Sequence, residues 1–200
     1  MLDTMLLLNW WVATGVLFLE LATVGKLFSL LVLLLPNSQF QKNFRQTIYG
    51  TKQRIFNSFG LDVLSEKFLM FFIFVFSVFA SILTLVYSEI FLQVPCALCW
   101  FERIFMYGVV VLSGLALLKN PPQNQSKNIL VFSFLGACVS LYHHVLQMTA
   151  GVGSHLPCPT SGGDCAKRLI FEYDHITFPW MAFVMFSFFI IIVLLQKRLK

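Results

Sequence analysis

Four apolar runs stand out along the chain, at 68–92, 97–118, 129–149 and 178–196, separated by short polar stretches. An α-helix rising ~1.5 Å per residue needs ~20 mostly apolar residues to cross ~30 Å of hydrocarbon. Each run approaches or exceeds that length, so the pattern predicts four membrane-crossing helices. A fifth run, 5–35, stops at Pro36 and contains Glu20 and Lys26. It predicts either one tilted helix or two shorter pieces kinked near Gly25. Pro121 and Pro122 in "KNPPQNQSK" stop the helix before them and make 119–127 a polar turn. The expected fold is an all-α integral membrane protein, a four-helix transmembrane bundle with an additional N-terminal hydrophobic helix long enough for a fifth span. Two parts follow: 1–67, holding the N-terminal helix and a basic cytoplasmic segment, and 68–200, holding the bundle. Within the first part, 40–60 mixes Phe and Ile with Lys and Arg, and reads as an amphipathic helix on the inner membrane surface or as a plain loop.

Composition agrees with the pattern. The 200 residues are 58% hydrophobic and 12% charged, with 23 Phe. A soluble domain carries about 25% charged residues. The first run is too long for the core of a signal peptide and has no basic residue ahead of it. The net charge of +5 is scattered through short loops, which points to membrane topology and gives no case for nucleic acid.

Ten of the fourteen Lys and Arg fall in three regions: 36–67, 119–128 and the C-terminal tail. The positive-inside rule places these in the cytoplasm. The loops 93–96 and 150–177 then face outward, and the alternation holds across all four clear spans. If 5–35 also crosses, the N-terminus lies outside. Of five cysteines, Cys96, Cys99, Cys158 and Cys165 fall on that outer side, while Cys138 sits mid-span on an apolar helix. A disulfide-permissive compartment and an even number of outer cysteines fit two pairs. Cys138 reads as an inert small hydrophobe.

The first pair lies in "QVPCALCWFER" (93–103). Trp100 stands where c-type haem attachment needs His. A staple across three residues would restrain little, because loop-closure stabilisation grows with loop length. Four cysteines make a zinc set, but a C-x6-C second half outside a cytosolic domain matches such sites poorly, so no metal is expected. Cys99 falls in the first turn of a helix, where unsatisfied N–H groups favour an anion, and Arg103 lies one turn on. This predicts a Cys99 thiolate and a spot able to polarise a quinone carbonyl. Arg103 could instead snorkel to the surface or pair with a carboxylate. The second pair lies in "HLPCPTSGGDC" (155–165), a turn-rich stretch in which a disulfide would be exchange-competent. In "SLYHHVLQ" (140–147), His143 and Gln147 share a helix face. They read either as polar packing between helices or as hydrogen-bonding groups for a quinone head.

Three stretches together carry a resemblance: "PCALCWFERIFMYG", "LYHHVLQ" and "PCPTSGGDCAKRLIFEYDHITFPWMAF". Over roughly 68–196 the chain resembles the DsbB/BdbC family of thiol:quinone oxidoreductases. The resemblance implies a four-helix bundle in the bacterial cell inner membrane, with both cysteine pairs on the periplasmic or outer side. It implies reoxidation of a DsbA-like thioredoxin-fold partner and transfer of electrons to the membrane quinone pool, ubiquinone or menaquinone. Cys158 would exchange with the partner, Cys165 would pair with it and exchange with Cys96, and Cys99 would meet the quinone. Arg103, His143 and Gln147 would support quinone binding. The short spacing of the second pair is similar to the BdbC branch. A vitamin K epoxide reductase-like protein is disfavoured by the order of its cysteine pairs, and a non-catalytic membrane scaffold with structural disulfides is the alternative from another class.

Overall fold

The computed structural model describes residues 2–34, 66–118, 123–149 and 164–198. Five helices account for nearly all of them: α1 (Leu2–Leu34), α2 (Glu66–Leu85), α3 (Ala97–Leu118), α4 (Gln123–Thr149) and α5 (Phe178–Arg198). Four are long and apolar enough to cross a membrane, over Met5–Leu27, Lys67–Ile90, Ala97–Leu118 and Gln125–Thr149, and α5 adds the apolar stretch Phe178–Leu194. The basic stretch 40–60 and Cys158 lie outside the described residues.

Helices α2 to α5 pack in sequence order, each against the next, and α1 packs on α5. Their shared core holds Met70, Ile73, Val109, Ile129, Phe186, Phe189 and Val193. Two glycines set how closely the helices approach. A Cβ at Gly108 of α3 would run into the Phe132 ring of α4, and one at Gly136 of α4 would run into Phe186 of α5. Such small residues let helices pack where lipid offers no hydrophobic drive between them. The opposite faces carry Phe71, Phe79, Ile82, Val111 and Phe134 exposed, as a lipid-facing surface requires. Two of the buried serines on these helices bond to their own backbone: Ser81 donates to the Ser77 carbonyl at 2.7 Å and Ser113 to the Val109 carbonyl at 2.7 Å.

The N-terminal run forms one continuous helix, unbroken at Gly25. Its charge Glu20 does not pair with Lys26. It accepts a hydrogen bond from the indole Nε1 of Trp180 on α5, and its other oxygen lies 3.7 Å from His175 Nε2. Asn9 accepts a hydrogen bond from the Tyr87 hydroxyl at 2.6 Å, and Ala13 and Val16 pack against Tyr87, Ile176, Met181 and Val184.

The end of α2 is irregular. A π-helical turn covers Val86–Ile90, closing with Phe91 N–H donating to the Val86 carbonyl. Leu92 follows in the left-handed region at φ 53, a conformation that costs a non-glycine residue ~1–2 kcal/mol. The Tyr87 carbonyl then accepts the Gln93 N–H. This tight reversal delivers Pro95 and Cys96 to the head of α3. Wide turns and left-handed residues of this kind cluster at functional sites.

Candidate redox site at the head of α3

Cys96 caps α3. Its carbonyl accepts the Trp100 N–H and its sulfur accepts the Cys99 backbone N–H at 3.2 Å. The arrangement is that of an ordinary N-cap, with sulfur in place of the usual side-chain oxygen. Cys99, one turn into the helix, brings its own sulfur to 2.7 Å from that of Cys96, and neither is disulfide-bonded. Two thiolates on one tetrahedral zinc ion, each at ~2.3 Å, would stand ~3.8 Å apart. The sulfurs of Cys96 and Cys99, with His143 Nε2, do lie within 4.8 Å of one another.

The sequence places the thiolate on Cys99, but the structure directs the stabilising groups to Cys96. The Cys99 thiol donates to it, and His143 adds a second contact, with Nε2 3.7 Å from the Cys96 sulfur. The Cys99 hydrogen bond and then the imidazole outweigh burial and hold the Cys96 thiol down to about 4. The helix N-terminus serves the same atom, because the N–H it offers points at Cys96.

Arg103 is buried and turns away from the pair. It donates to the Thr84 carbonyl at 2.8 Å, just before the π-helical turn, and its guanidinium lies 5.4 Å from the Trp100 ring centre. It lines an open groove of about 590 Å³ together with Trp100, Tyr107, Pro95, Leu85 and Glu89. Pro95 and Trp100, which flank the cysteine pair in sequence, are both part of the groove's lining. Arg103 could serve there as a donor to a bound cofactor, with the Trp100 and Tyr107 rings as apolar contacts.

His143 and Gln147 lie on the other side of the pair and are not among the groove's lining. His143 is 1% exposed. Its Nδ1 is 2.9 Å from Glu102 Oε1, and its Nε2 is 3.2 Å from the Cys165 carbonyl oxygen. Gln147 donates to the Lys167 carbonyl at 3.2 Å and places the same nitrogen 3.4 Å from His143 Nε2. Arg168 donates to the Gln147 carbonyl at 2.9 Å. These bonds seat the segment 164–177 on the end of α4. Cys165 is disulfide-bonded, 1% exposed and packed in one cluster with Cys96, Leu98 and Leu146. The adjacent His144 points to Thr177 Oγ1 at 2.9 Å, at the head of α5, while His143 meets Cys96 and Cys165.

Glu102 is the member of this cluster to which sequence reading gives no role. Its signal is its place, three residues after Cys99 in an apolar span, where an ionisable side chain has a function by default.

A helical membrane bundle holding a dithiol beside a disulfide-bonded cysteine defines a membrane thiol oxidoreductase. The chain belongs to the DsbB family: the family model described as disulfide bond formation protein DsbB matches residues 66–196. It is 34% identical over 117 residues to disulfide bond formation protein C of Bacillus subtilis strain 168, covering 58% of this chain and 83% of the relative. It is 36% identical over 110 residues to probable disulfide formation protein C 1 of Bacillus anthracis, covering 55% and 78%. It is 33% identical over 119 residues to the SPbeta prophage-derived disulfide bond formation protein B of B. subtilis, covering 60% and 76%. No solved structure matches. The matched region leaves out α1.

Proposed function

We propose that this oxidoreductase of disulfide bond formation is a thiol:quinone oxidoreductase of the bacterial inner membrane. It takes electrons from a DsbA-like thioredoxin-fold partner on the outer side and delivers them to the quinone pool. The single observation that carries this is that one residue from each cysteine pair meets the same imidazole: His143 Nε2 lies 3.7 Å from the Cys96 sulfur and 3.2 Å from the Cys165 carbonyl oxygen.

In this scheme the partner's dithiol exchanges with the Cys158–Cys165 disulfide through Cys158, leaving the partner oxidised and this pair reduced. Cys165 then exchanges with Cys96, so that the Cys96–Cys99 disulfide becomes the dithiol. A quinone, when bound, is a two-electron acceptor that returns this dithiol to the disulfide. The protein orients that acceptor in the groove, with Arg103 as donor to its carbonyl and Trp100 and Tyr107 as ring contacts. His143 and Gln147, grouped with Arg103 by sequence, act here on the cysteine side. The unit 68–200 carries this chemistry, and 1–67 is an addition to it.

The test replaces Cys165 with Ala in the full chain and looks for a mixed disulfide between Cys158 and a thioredoxin-fold protein. Trapping, together with quinone-dependent oxidation of that partner by the wild type, is the expected result. A wild-type protein whose disulfides stay oxidised in the presence of reduced partner would leave the scaffold alternative standing.

A further inference from the structure

We infer that His143 and Glu102 form a proton-holding pair for Cys96, in which the imidazole stabilises Cys96 as a leaving thiolate during transfer between the two cysteine pairs and Glu102 positions that imidazole. This rests on the thiol-exchange role proposed above.

The hydrogen-bond partners set what the ring can do. A Glu102 carboxylate accepts only, so it fixes a proton on Nδ1. On the other nitrogen, the Cys165 carbonyl at 3.2 Å and the Cys96 sulfur at 3.7 Å are both acceptors and favour Nε2–H. Gln147 offers the same nitrogen a donor at 3.4 Å, which serves the ring once Nε2 has lost its proton. Imidazolium and neutral imidazole therefore each find partners in the same place. A buried histidine held only for packing needs partners for one state.

The exchange step shows why such a group is useful. The Cys165 thiolate attacks the Cys96 sulfur; the Cys165–Cys96 bond forms, the Cys96–Cys99 bond breaks, and Cys99 leaves as a thiolate. The Cys158 thiolate then attacks Cys165; the Cys158–Cys165 bond forms and Cys96 leaves as a thiolate. Two electrons have moved from the outer pair to Cys96 and Cys99, and the outer pair is a disulfide again. After this step Cys165 is again paired and Cys96 and Cys99 are the dithiol. In that product, Nε2–H faces the sulfur that has just left. Cys96 is 3% exposed and His143 1%, and the imidazole is the side-chain N–H donor nearest that sulfur among the described residues. The lowered acidity range of Cys96 fits this arrangement.

Among the described residues, the charged and titratable groups facing this imidazole are few. From α3 come Cys96, Cys99 and Glu102, with Arg103 behind Glu102. The segment 164–177 brings Cys165, Lys167 and Arg168, the last two near Gln147 rather than the ring. On its own helix His144 points elsewhere.

The experiment uses the reduced full chain in detergent. The rate of Cys96 alkylation by iodoacetamide is followed against pH by peptide mass spectrometry, and electron passage between the pairs is followed separately by stopped flow. Glu102→Gln keeps the shape and removes the charge, so the Cys96 midpoint should rise by at least about one pH unit and transfer should slow ~10-fold. His143→Gln should slow it ~100-fold, in the range general acid–base groups contribute. Unchanged midpoints in both variants overturn the inference, even if quinone is still reduced. Wild type and variants that show the shift while passing no electrons to a quinone would uphold the pair and sink the functional proposal instead. If His143→Gln fails to fold, the isosteric Glu102→Gln decides alone.

Discussion

Two carboxylates of this bundle, Glu102 and Glu20, serve different ends. Glu102 sits on α3 and faces His143, which faces sulfur. Glu20 sits on α1 and binds the indole of Trp180, with His175 at its second oxygen. Both occupy otherwise apolar helices, where a lone charge is costly and must find a partner. Glu102 is 11% exposed and its histidine 1%; Glu20 is 20% exposed and its histidine 43%. The buried partnership ends on a redox atom, whereas the more open one ends on a helix and on the segment 164–177. Thr14 adds to the second, with its hydroxyl 3.2 Å from that of Tyr173. The segment is thus held at both ends: Cys165 is seated on α4 by the redox cluster, and Tyr173 and His175 are tied to α1. The same type of residue drives chemistry or anchors structure according to what its partner touches.

Stability separates the two most sharply. Glu102→Ala leaves His143 as an uncompensated buried group and should cost ~3 kcal/mol, the lower end for breaking a buried ion pair. Glu20→Ala loses a part-exposed hydrogen bond and should cost ~1–2 kcal/mol. Unfolding midpoints of the two variants in one detergent check the order, and equal losses would erase the distinction.

Reactivity is the next discriminator. Cys96 is an acid whose folded value, about 4, lies below that of a free thiol. A depressed acid stabilises the folded reduced state fully above the unfolded thiol value, and that contribution is lost as pH falls through the folded value. Alkylation of Cys96 in the wild type should therefore stay on a plateau through neutral pH and decline only on approach to pH 4. Glu20→Gln should reproduce that curve, because Glu20 does not touch the redox cluster. A displaced curve for Glu20→Gln would mean that α1 reaches the chemistry after all.

A smaller effect is expected at Arg103, which neither carboxylate holds. Arg103→Lys keeps the charge and loses the planar fork that reaches both Thr84 and the groove. The KM for quinone should rise ~10-fold, equivalent to about 1.4 kcal/mol, while the Cys96 alkylation curve stays in place. A change in the curve with no change in KM would move Arg103 from the groove to the thiol. The smallest effect belongs to Cys138, which is exposed on the apolar face of α4. Cys138→Ser should leave partner oxidation within twofold of wild type, in line with buried or lipid-facing apolar thiols being inert; a loss of turnover would add a fifth cysteine to the relay.

The apolar runs of the sequence determined the helices, because spanning hydrocarbon requires ~20 apolar residues in unbroken helix whatever lies beside them. Local spacing also determined that Cys96 and Cys99 meet at one helix head and that His143 and Gln147 share a face, since one turn of helix fixes both. Tertiary structure decided which partners these residues find. Glu102 is adjacent to Arg103 in sequence, yet one points to α4 and the other to α2, so neither the Glu102–His143 pair nor the Arg103–Thr84 bond could be read from spacing. The choice of Cys96 over Cys99 as the stabilised sulfur is of the same kind. Periodicity made both cysteines candidates, but His143 arrives from 47 residues away along the chain. Lys26 was the nearest charged neighbour on Glu20's own helix, and the packing of α1 on α5 gave Glu20 the Trp180 indole instead. Helix geometry is a property of neighbours in sequence; the chemistry of a buried charge or thiol depends on neighbours in space, and those are set only when the helices pack.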